Sequence, residues 1–380
     1  MRILYWTPLF WPEIGGIEAI AINVLPALRA RGHEVIGVAA HGSLDLPDRS
    51  EYDGIPVYRY HIFNALWKKD PRLLIEITKE IVSLKRSFRP DIVHMLFGPP
   101  AIAYFHLQTM KAHPAPTLLT VHADLTNAHA GSDTLLRRLL QNADWITSDA
   151  EMTLNRTRAA YPQIGERTTM IHNGFPLPEL APADLQFDEP HVVCVGRLAP
   201  EKGFDIAIAA FSRVLERFPS ASLTITGDGH LRGELERLAD EHGIHEHVHF
   251  TGAVPHSNIA SLLNTATLIA IPSRQDSFPA VAVEAAQMGR PIVATRVGGL
   301  PESIVDGKTG LLVDSGDPRG LADAVVHLLK EQAKTREMGQ AARERAMQLF
   351  NFDRYIDAYD SLYAKVIDQF AGSHKGTRYR

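Results

Sequence analysis

Residues 272–302 read PSRQDSFPAVAVEAAQMGRPIVATRVGGLPE. They follow an apolar run, TLIAIPS over 267–273, that reads as a buried strand. Asp276 falls in the loop after that strand. Pro279 suits the first turn of a helix, where its missing N–H costs little, and the apolar helical pattern then runs from about Val281 to Met288. Glu284 sits about one turn inside. GRPIVAT (289–295) is the next strand and GGLPE (298–302) a glycine loop. Strand, loop, helix and strand in succession form the repeating unit of a parallel sheet. Two carboxylates at a fixed spacing around such a turn raise the question of chemistry.

The same alternation fills the chain. Before 175, strands are expected at 2–7, 34–40, 91–96, 117–122 and 145–149, and an amphipathic helix at 17–32 with Pro26 as a kink or early break. The proline-rich segment FPLPELAPADLQFDEP (175–190) has no clear periodicity and reads as a linker. Strands then return at 191–196, 222–227 and 247–252, with helices at 203–218, 231–242 and 256–264. The expected architecture is α/β, with two Rossmann-like doubly wound domains facing each other across a cleft: 1–175, a linker at 176–190, and 191–351. A last helix, 352–370, carries an apolar stripe of Phe352, Ile356, Tyr359, Leu362, Tyr363, Val366 and Phe370, and is expected to pack back on the first domain. The tail 371–380 is expected to be disordered.

Composition excludes several classes. Residues 1–175 carry 18 Lys and Arg against 17 Asp and Glu, and the remainder 21 against 27, so no nucleic-acid footprint is present. No apolar run approaches the roughly 18 residues a membrane span requires. The single cysteine, Cys194, fits a reducing compartment, and a cytoplasmic protein is expected. WKKDPR (67–72) and Arg137–Arg138 are small basic clusters. They read as solvated helix surface, or as a first-domain patch for peripheral contact with anionic lipid at the inner face of the membrane.

Ligands of such sheets bind at the carboxyl ends of the strands. There the first domain offers Gly15 and Gly16, which let backbone approach a ligand at a helix N-terminus that favours anions; the bland alternative is a plain glycine turn. The second domain offers VGRLAPEKGFD (195–205), with Arg197 and Lys202 in one strand-to-helix loop. Two such cations suit a diphosphate, though both could be ordinary surface charges. GDGHLRG (227–233) has the wrong spacing for a dinucleotide fingerprint, which disfavours a nicotinamide oxidoreductase. HGIHEHVHF (242–250) places His247 and His249 on one face of an expected strand, yet no acidic or cysteine partner is positioned beside them, and no metal is assigned.

Taken together, Pro272, Ser273, Asp276, Phe278, Pro279, Glu284, Ala285, Gly289 and Pro291 resemble the signature of family 4 of the retaining glycosyltransferases, which have the GT-B fold. GRLAPEKG, IHNGF (171–175) and VGGLPESIVDGKTGLLV (297–313) resemble further elements of that family in the same order. The resemblance implies transfer of a sugar from a nucleotide-diphosphate sugar, UDP favoured and GDP admitted, to a hydroxyl acceptor. Retention and no cofactor or metal are implied, and the chain has no Asp-x-Asp.

The resemblance also implies residue roles. Glu284 would hold the ribose hydroxyls, Arg197 and Lys202 the diphosphate. Gly16 would close over the diphosphate, and backbone near Val254 would read the base. Phe278, Pro279, Ala280, Val281 and Ala282 form the helix start at the phosphate. His122 would stand near the donor sugar, and Asp276 would contact that sugar beside the reacting carbon. Asp276 departs from the family's usual Glu by one methylene, which retracts the carboxylate by ~1.5 Å on an unchanged backbone. His94 is expected to be structural or on the acceptor side. Acceptor contacts are expected in loops 8–16, 62–70 and 123–131, with a lipid-linked sugar, a polysaccharide or a small metabolite all open. A nucleotide-sugar epimerase or hydrolase on the same fold is the alternative reading.

Overall fold

The computed structural model describes residues 1–13, 16–98, 100–122, 125, 133–278 and 280–375. The chain divides into two compact units, residues 1–174 with 353–380 and residues 175–352.

In unit 1 the strands are β1 (Arg2–Trp6), β2 (Glu34–Ala40), β3 (Arg49–Tyr52), β4 (Ile55–Tyr60), β5 (Ile92–Leu96), β6 (Thr117–Val121), β7 (Trp145–Ser148) and β8 (Thr168–Met170). Among the described residues they form one sheet in the order β3-β4-β2-β1-β5-β6-β7-β8. Every pairing is parallel except β3 with β4. The central strands β5 and β6 are buried at every residue, as expected of parallel strands covered on both faces, and the polar side chains among them, His94, Thr117 and Thr120, are hydrogen-bonded.

The β3–β4 hairpin was not expected from the sequence. Its turn is Asp53–Gly54, both in the left-handed region (φ 49° and 71°), which a two-residue hairpin of this twist requires. The helix Gly16–Ala30 runs through Pro26 without ending there; Leu25 and Leu28 on either side are fully buried and hold it to the sheet. The segment 62–70 is not an open loop. Ile62–Trp67 is a short helix, because Ile62 and Ala65, three positions apart, share one buried face.

The C-terminal helix, Phe352–Lys375, is longer than expected, and residues 371–375 continue it instead of forming a tail. It belongs to unit 1. Tyr355, Ile356, Tyr359, Leu362, Tyr363 and Val366 are all buried, following the three-to-four spacing of a single face. Tyr363 Oη lies 2.6 Å from His94 Nδ1, and Tyr359 Oη reaches Thr120 (3.2 Å) and Thr147 (3.1 Å). Burial pushes His94 down to about 3, so it sits neutral inside β5 with its second nitrogen on Thr120 at 2.7 Å. Its place is structural.

In unit 2 the strands are β9 (His191–Val195), β10 (Ser222–Thr226), β11 (Val248–Gly252), β12 (Leu268–Ile271), β13 (Ile292–Thr295) and β14 (Gly310–Val313). They form an all-parallel sheet in the order β11-β10-β9-β12-β13-β14. The order reverses direction between β9 and β12, so the loops after those two strands lie side by side at the switch point, where such sheets bind ligands. Arg290, fully buried, ties this sheet to the segment before β9. Its guanidinium donates to the carbonyls of Ala183, Ala266 and Met288 and to Asn264 Oδ1.

Candidate functional site: strand-end loops of unit 2

The loop after β9 carries Arg197, folds into a 3-10 turn at Pro200–Lys202, and enters the helix Phe204–Leu215 through Gly203. Gly203 has φ 67°, and a Cβ there would overlap the Pro272 carbonyl oxygen. Glycine therefore lets the β9 and β12 loops meet backbone to backbone. Arg274 straps the same two loops. Its guanidinium forms a fork on Asp205 (2.8 and 2.6 Å) and donates to Pro200 O at 2.9 Å, while its own N–H donates to Glu201 O at 2.7 Å. The Arg274 bonds hold the Asp205 carboxyl below its usual range.

This frame brings Lys202 and Asp276 together. Lys202 Nζ lies 2.7 Å from Asp276 Oδ2, and the Ser273 hydroxyl donates to that oxygen at 3.2 Å. The Asp276 side chain is 8% exposed and that of Lys202 26%, so the pair is well shielded from water and yet open on the lysine side. Arg197 behaves differently: its side chain is 72% exposed and pairs with Glu201 Oε1 at 2.8 Å. The two cations named from one loop thus occupy distinct environments.

Glycines also fix the backbone of Asp276. Gly298 (φ 55°) passes so close that a Cβ would overlap the Asp276 carbonyl oxygen, and Gly299 N–H donates to the same oxygen at 3.1 Å. Gly298→Ala is expected to cost about 1–3 kcal/mol of unit 2 stability, from steric overlap and the left-handed backbone. Urea unfolding measures it; an alanine variant as stable as the parent would show that this contact is dispensable.

The helix Ala280–Gln287 follows, its first N–H groups free of intrahelical partners. Val254, Phe278, Ala280 and Val281 all pack against one apolar cluster that includes Ala282. Phe278 stacks on Phe175 at 6.1 Å and meets Phe350 edge-on at 5.6 Å, so its ring is core packing at the base of the loop. Pro279 lies outside the described residues. The Glu284 side chain is 16% exposed, with His256 Nδ1 3.7 Å from its Oε1. Burial pushes the Glu284 carboxyl up, and the neighbouring His256 opposes that shift. His256, Arg274 and Asp205 carry no such sequence signal, and the Ser273 contact with Asp276 is seen only in the structure. Arg274 and Asp205 are 69 positions apart, and no local pattern links them.

In unit 1, Gly16 opens the helix after β1, while Gly15 lies outside the described residues. His122 follows β6 and is buried. Its Nδ1 donates to Asp149 Oδ2 at 2.9 Å, and Asn173 Nδ2 donates to the same oxygen at 2.9 Å. Asn173 is the asparagine of IHNGF. A carboxylate on Nδ1 fixes the tautomer with the lone pair on Nε2. That Nε2 is buried and has no partner among the described residues.

Of the acceptor segments, 123–131 lies outside the described residues save Leu125. The histidine pair of 242–250 does not share a strand face. His247 stands in the 3-10 turn His245–His247, its Nδ1 3.1 Å from Ala221 O, and only His249 is in β11.

Comparison with known proteins agrees with this architecture. The family profile of Glycosyl transferases group 1 matches residues 180–345, and that of Glycosyltransferase Family 4 matches residues 14–178. The chain is 36% identical to a D-inositol 3-phosphate glycosyltransferase of Mycobacterium bovis, over 97% of this chain and 83% of that protein. It is 31% identical to a glycogen synthase of Mycobacterium tuberculosis, over 73% of this chain and 69% of that protein. Sucrose-phosphate synthase from Thermosynechococcus elongatus superposes with a TM-score of 0.84 at 22% identity, covering 97% of this chain and 99% of that one. Anabaena HepE, solved in complex with UDP and glucose, gives 0.77 at 20% identity, covering 96% of this chain and all of that one. These two structures share the fold, GT-B.

Proposed function

The chain belongs to family 4 of the glycosyltransferases, and we infer from that membership and from the strand-end geometry that it transfers a sugar from a nucleotide-diphosphate sugar to a hydroxyl acceptor with retention. The observation that carries the reading is the shielded Lys202–Asp276 pair at the switch point of the unit 2 sheet. A lysine beside a carboxylate in that place is a preorganised cation for a diphosphate. Asp276 sits next to it, positioned for the sugar that the diphosphate carries.

The roles then follow from charge and position. Lys202, with Arg197 and the first N–H groups of Ala280–Gln287, receives the negative charge that develops as the sugar's C1–O bond breaks. The bonding electrons stay on the diphosphate oxygen. The acceptor oxygen bonds to C1 on the face the diphosphate leaves, and its proton passes to the departing diphosphate oxygen. Glu284 accepts from the ribose hydroxyls. In unit 1, His122 offers Nε2 to a hydroxyl while Asp149 keeps its ring in that tautomer. Because Lys202 and Arg197 supply the positive charge, transfer is expected to persist in EDTA.

UDP is favoured as the nucleotide, with GDP next. That choice is supported by the UDP complex of HepE, a protein that shares the fold. The reading also includes peripheral contact with anionic lipid through the Trp67 surface. Trp67 is 80% exposed, stacked on Phe63, and flanked in sequence by Lys68, Lys69 and Arg72. Among the described residues no helix is long and apolar enough to cross a membrane.

A thermal-shift panel of UDP, GDP and ADP, followed by their sugars, tests the donor class. One nucleotide is expected to raise the melting temperature, and its sugar to support transfer with the anomeric configuration kept. Sugar release at an equal rate with and without every acceptor would instead mark a hydrolase.

A further inference from the structure

His41, Asp48 and His61 come together in unit 1, apart from the groups given a role above. β2 and β4 run parallel with Ala40 opposite Tyr60, so the residues that follow, His41 and His61, emerge side by side at the carboxyl ends of the strands. His41 N–H donates to Tyr60 O at 2.9 Å, fixing that level. Asp48 is brought in by the next chain segment. Its carbonyl accepts Arg59 N–H at 2.7 Å, and the Arg59 guanidinium holds the same segment through Ser50 Oγ (2.6 Å) and Pro47 O (3.5 Å). His41 Nε2 then lies 2.8 Å from Asp48 Oδ1. The His61 ring stacks on His41, centroids 4.0 Å apart and planes at 16°. One ligand atom from each residue lies within 4.8 Å of the other two.

We propose that His41, Asp48 and His61 form a binding site for a divalent cation of the zinc class, with one coordination position open to solvent. Two imidazole nitrogens and one carboxylate oxygen suit Zn²⁺ or Co²⁺ and suit Mg²⁺ poorly. The cation takes the place of the proton now shared between His41 and Asp48. Stacked rings do not aim both lone pairs at one point, so His61 must turn to complete the site. It is able to: it is exposed, its imidazole makes no hydrogen bond among the described residues, and although it is the N-cap residue of the helix Ile62–Trp67 its side chain takes no part in the cap. The Arg59 charge, which would repel a cation, is turned toward Ser50, Pro47 and the Trp11 carbonyl. The Asp48 side chain is 82% exposed, which leaves the outer face to water or an anionic ligand.

The test uses untagged full-length protein stripped with EDTA and dialysed. Calorimetric titration with Zn²⁺ is expected to show one equivalent bound, Co²⁺ to give visible d–d absorption, and Mg²⁺ to displace neither. His61→Ala and Asp48→Asn, both at exposed positions, are each expected to weaken Zn²⁺ at least about tenfold and to abolish the zinc-induced rise in melting temperature. His249→Ala, on the unit 2 surface, is expected to bind as the parent does. Metal-free melting curves matching the parent establish that the variants fold. Absence of Zn²⁺ binding in the parent would overturn the proposal, as would unchanged affinity in both His61→Ala and Asp48→Asn.

Discussion

Lys202→Ala is expected to lose nucleotide affinity and turnover together. A charge-assisted contact to a partly buried diphosphate contributes about 1.5–3 kcal/mol, roughly a 10- to 150-fold change in dissociation constant. Loss of a preorganised group at the leaving oxygen lowers turnover by about 10²–10³. The substitution also leaves the Asp276 carboxylate, 8% exposed, without its cation and facing an incoming diphosphate, which adds to the loss. Arg197→Ala should cost less, because that side chain is 72% exposed and already paired with Glu201. Calorimetry with UDP, GDP and ADP on both variants checks the ranking. Parent-like binding of all three by Lys202→Ala would remove the diphosphate from this loop.

The second large effect separates the two carboxylates. Glu284→Ala should weaken the bare nucleotide by about 1–3 kcal/mol, since ribose hydrogen bonds form with or without a sugar. Asp276→Ala should bind bare nucleotide as tightly as the parent or more tightly, because it frees Lys202, and should lower turnover by about a hundredfold or more. Asp276→Glu lengthens the side chain while keeping its charge near Lys202, and is expected to retain nucleotide binding while altering turnover or sugar choice. Titration beside transfer assays on the three variants resolves the division. Equal losses of nucleotide affinity in the two alanine variants would sink it.

What the sequence showed and what it hid divide along physical lines. Buried parallel strands carry a local signal, and the apolar run 34–40 coincides with strand Glu34–Ala40 to the residue. The Asp53–Gly54 turn also carried its signal, but β3, with alternating exposed positions, has no apolar run to accompany it. Lys202 and Asp276 were each visible in their own loops, yet their ion pair spans 74 positions and depends on the order of β9 and β12 in the sheet. The glycines at 298–299 read as a loop; that they clamp the Asp276 backbone follows only from the close approach of two loops. His122 stands out at the end of its own strand, but Asp149, which sets its tautomer, comes from the end of the neighbouring strand β7. Arg274 and Asp205 are not legible as a pair, because a strap between two loops has no sequence period.

The central claim, that the strand-end loops of unit 2 hold a nucleoside diphosphate, is tested most directly by a crystal structure of the protein grown with the nucleotide that wins the thermal-shift panel. The account predicts diphosphate oxygens within hydrogen-bond distance of Lys202 Nζ and of the first N–H groups of Ala280–Gln287, with the ribose hydroxyls on Glu284. Nucleotide bound elsewhere, with Lys202 still on Asp276 and Glu284 still beside His256, would contradict it.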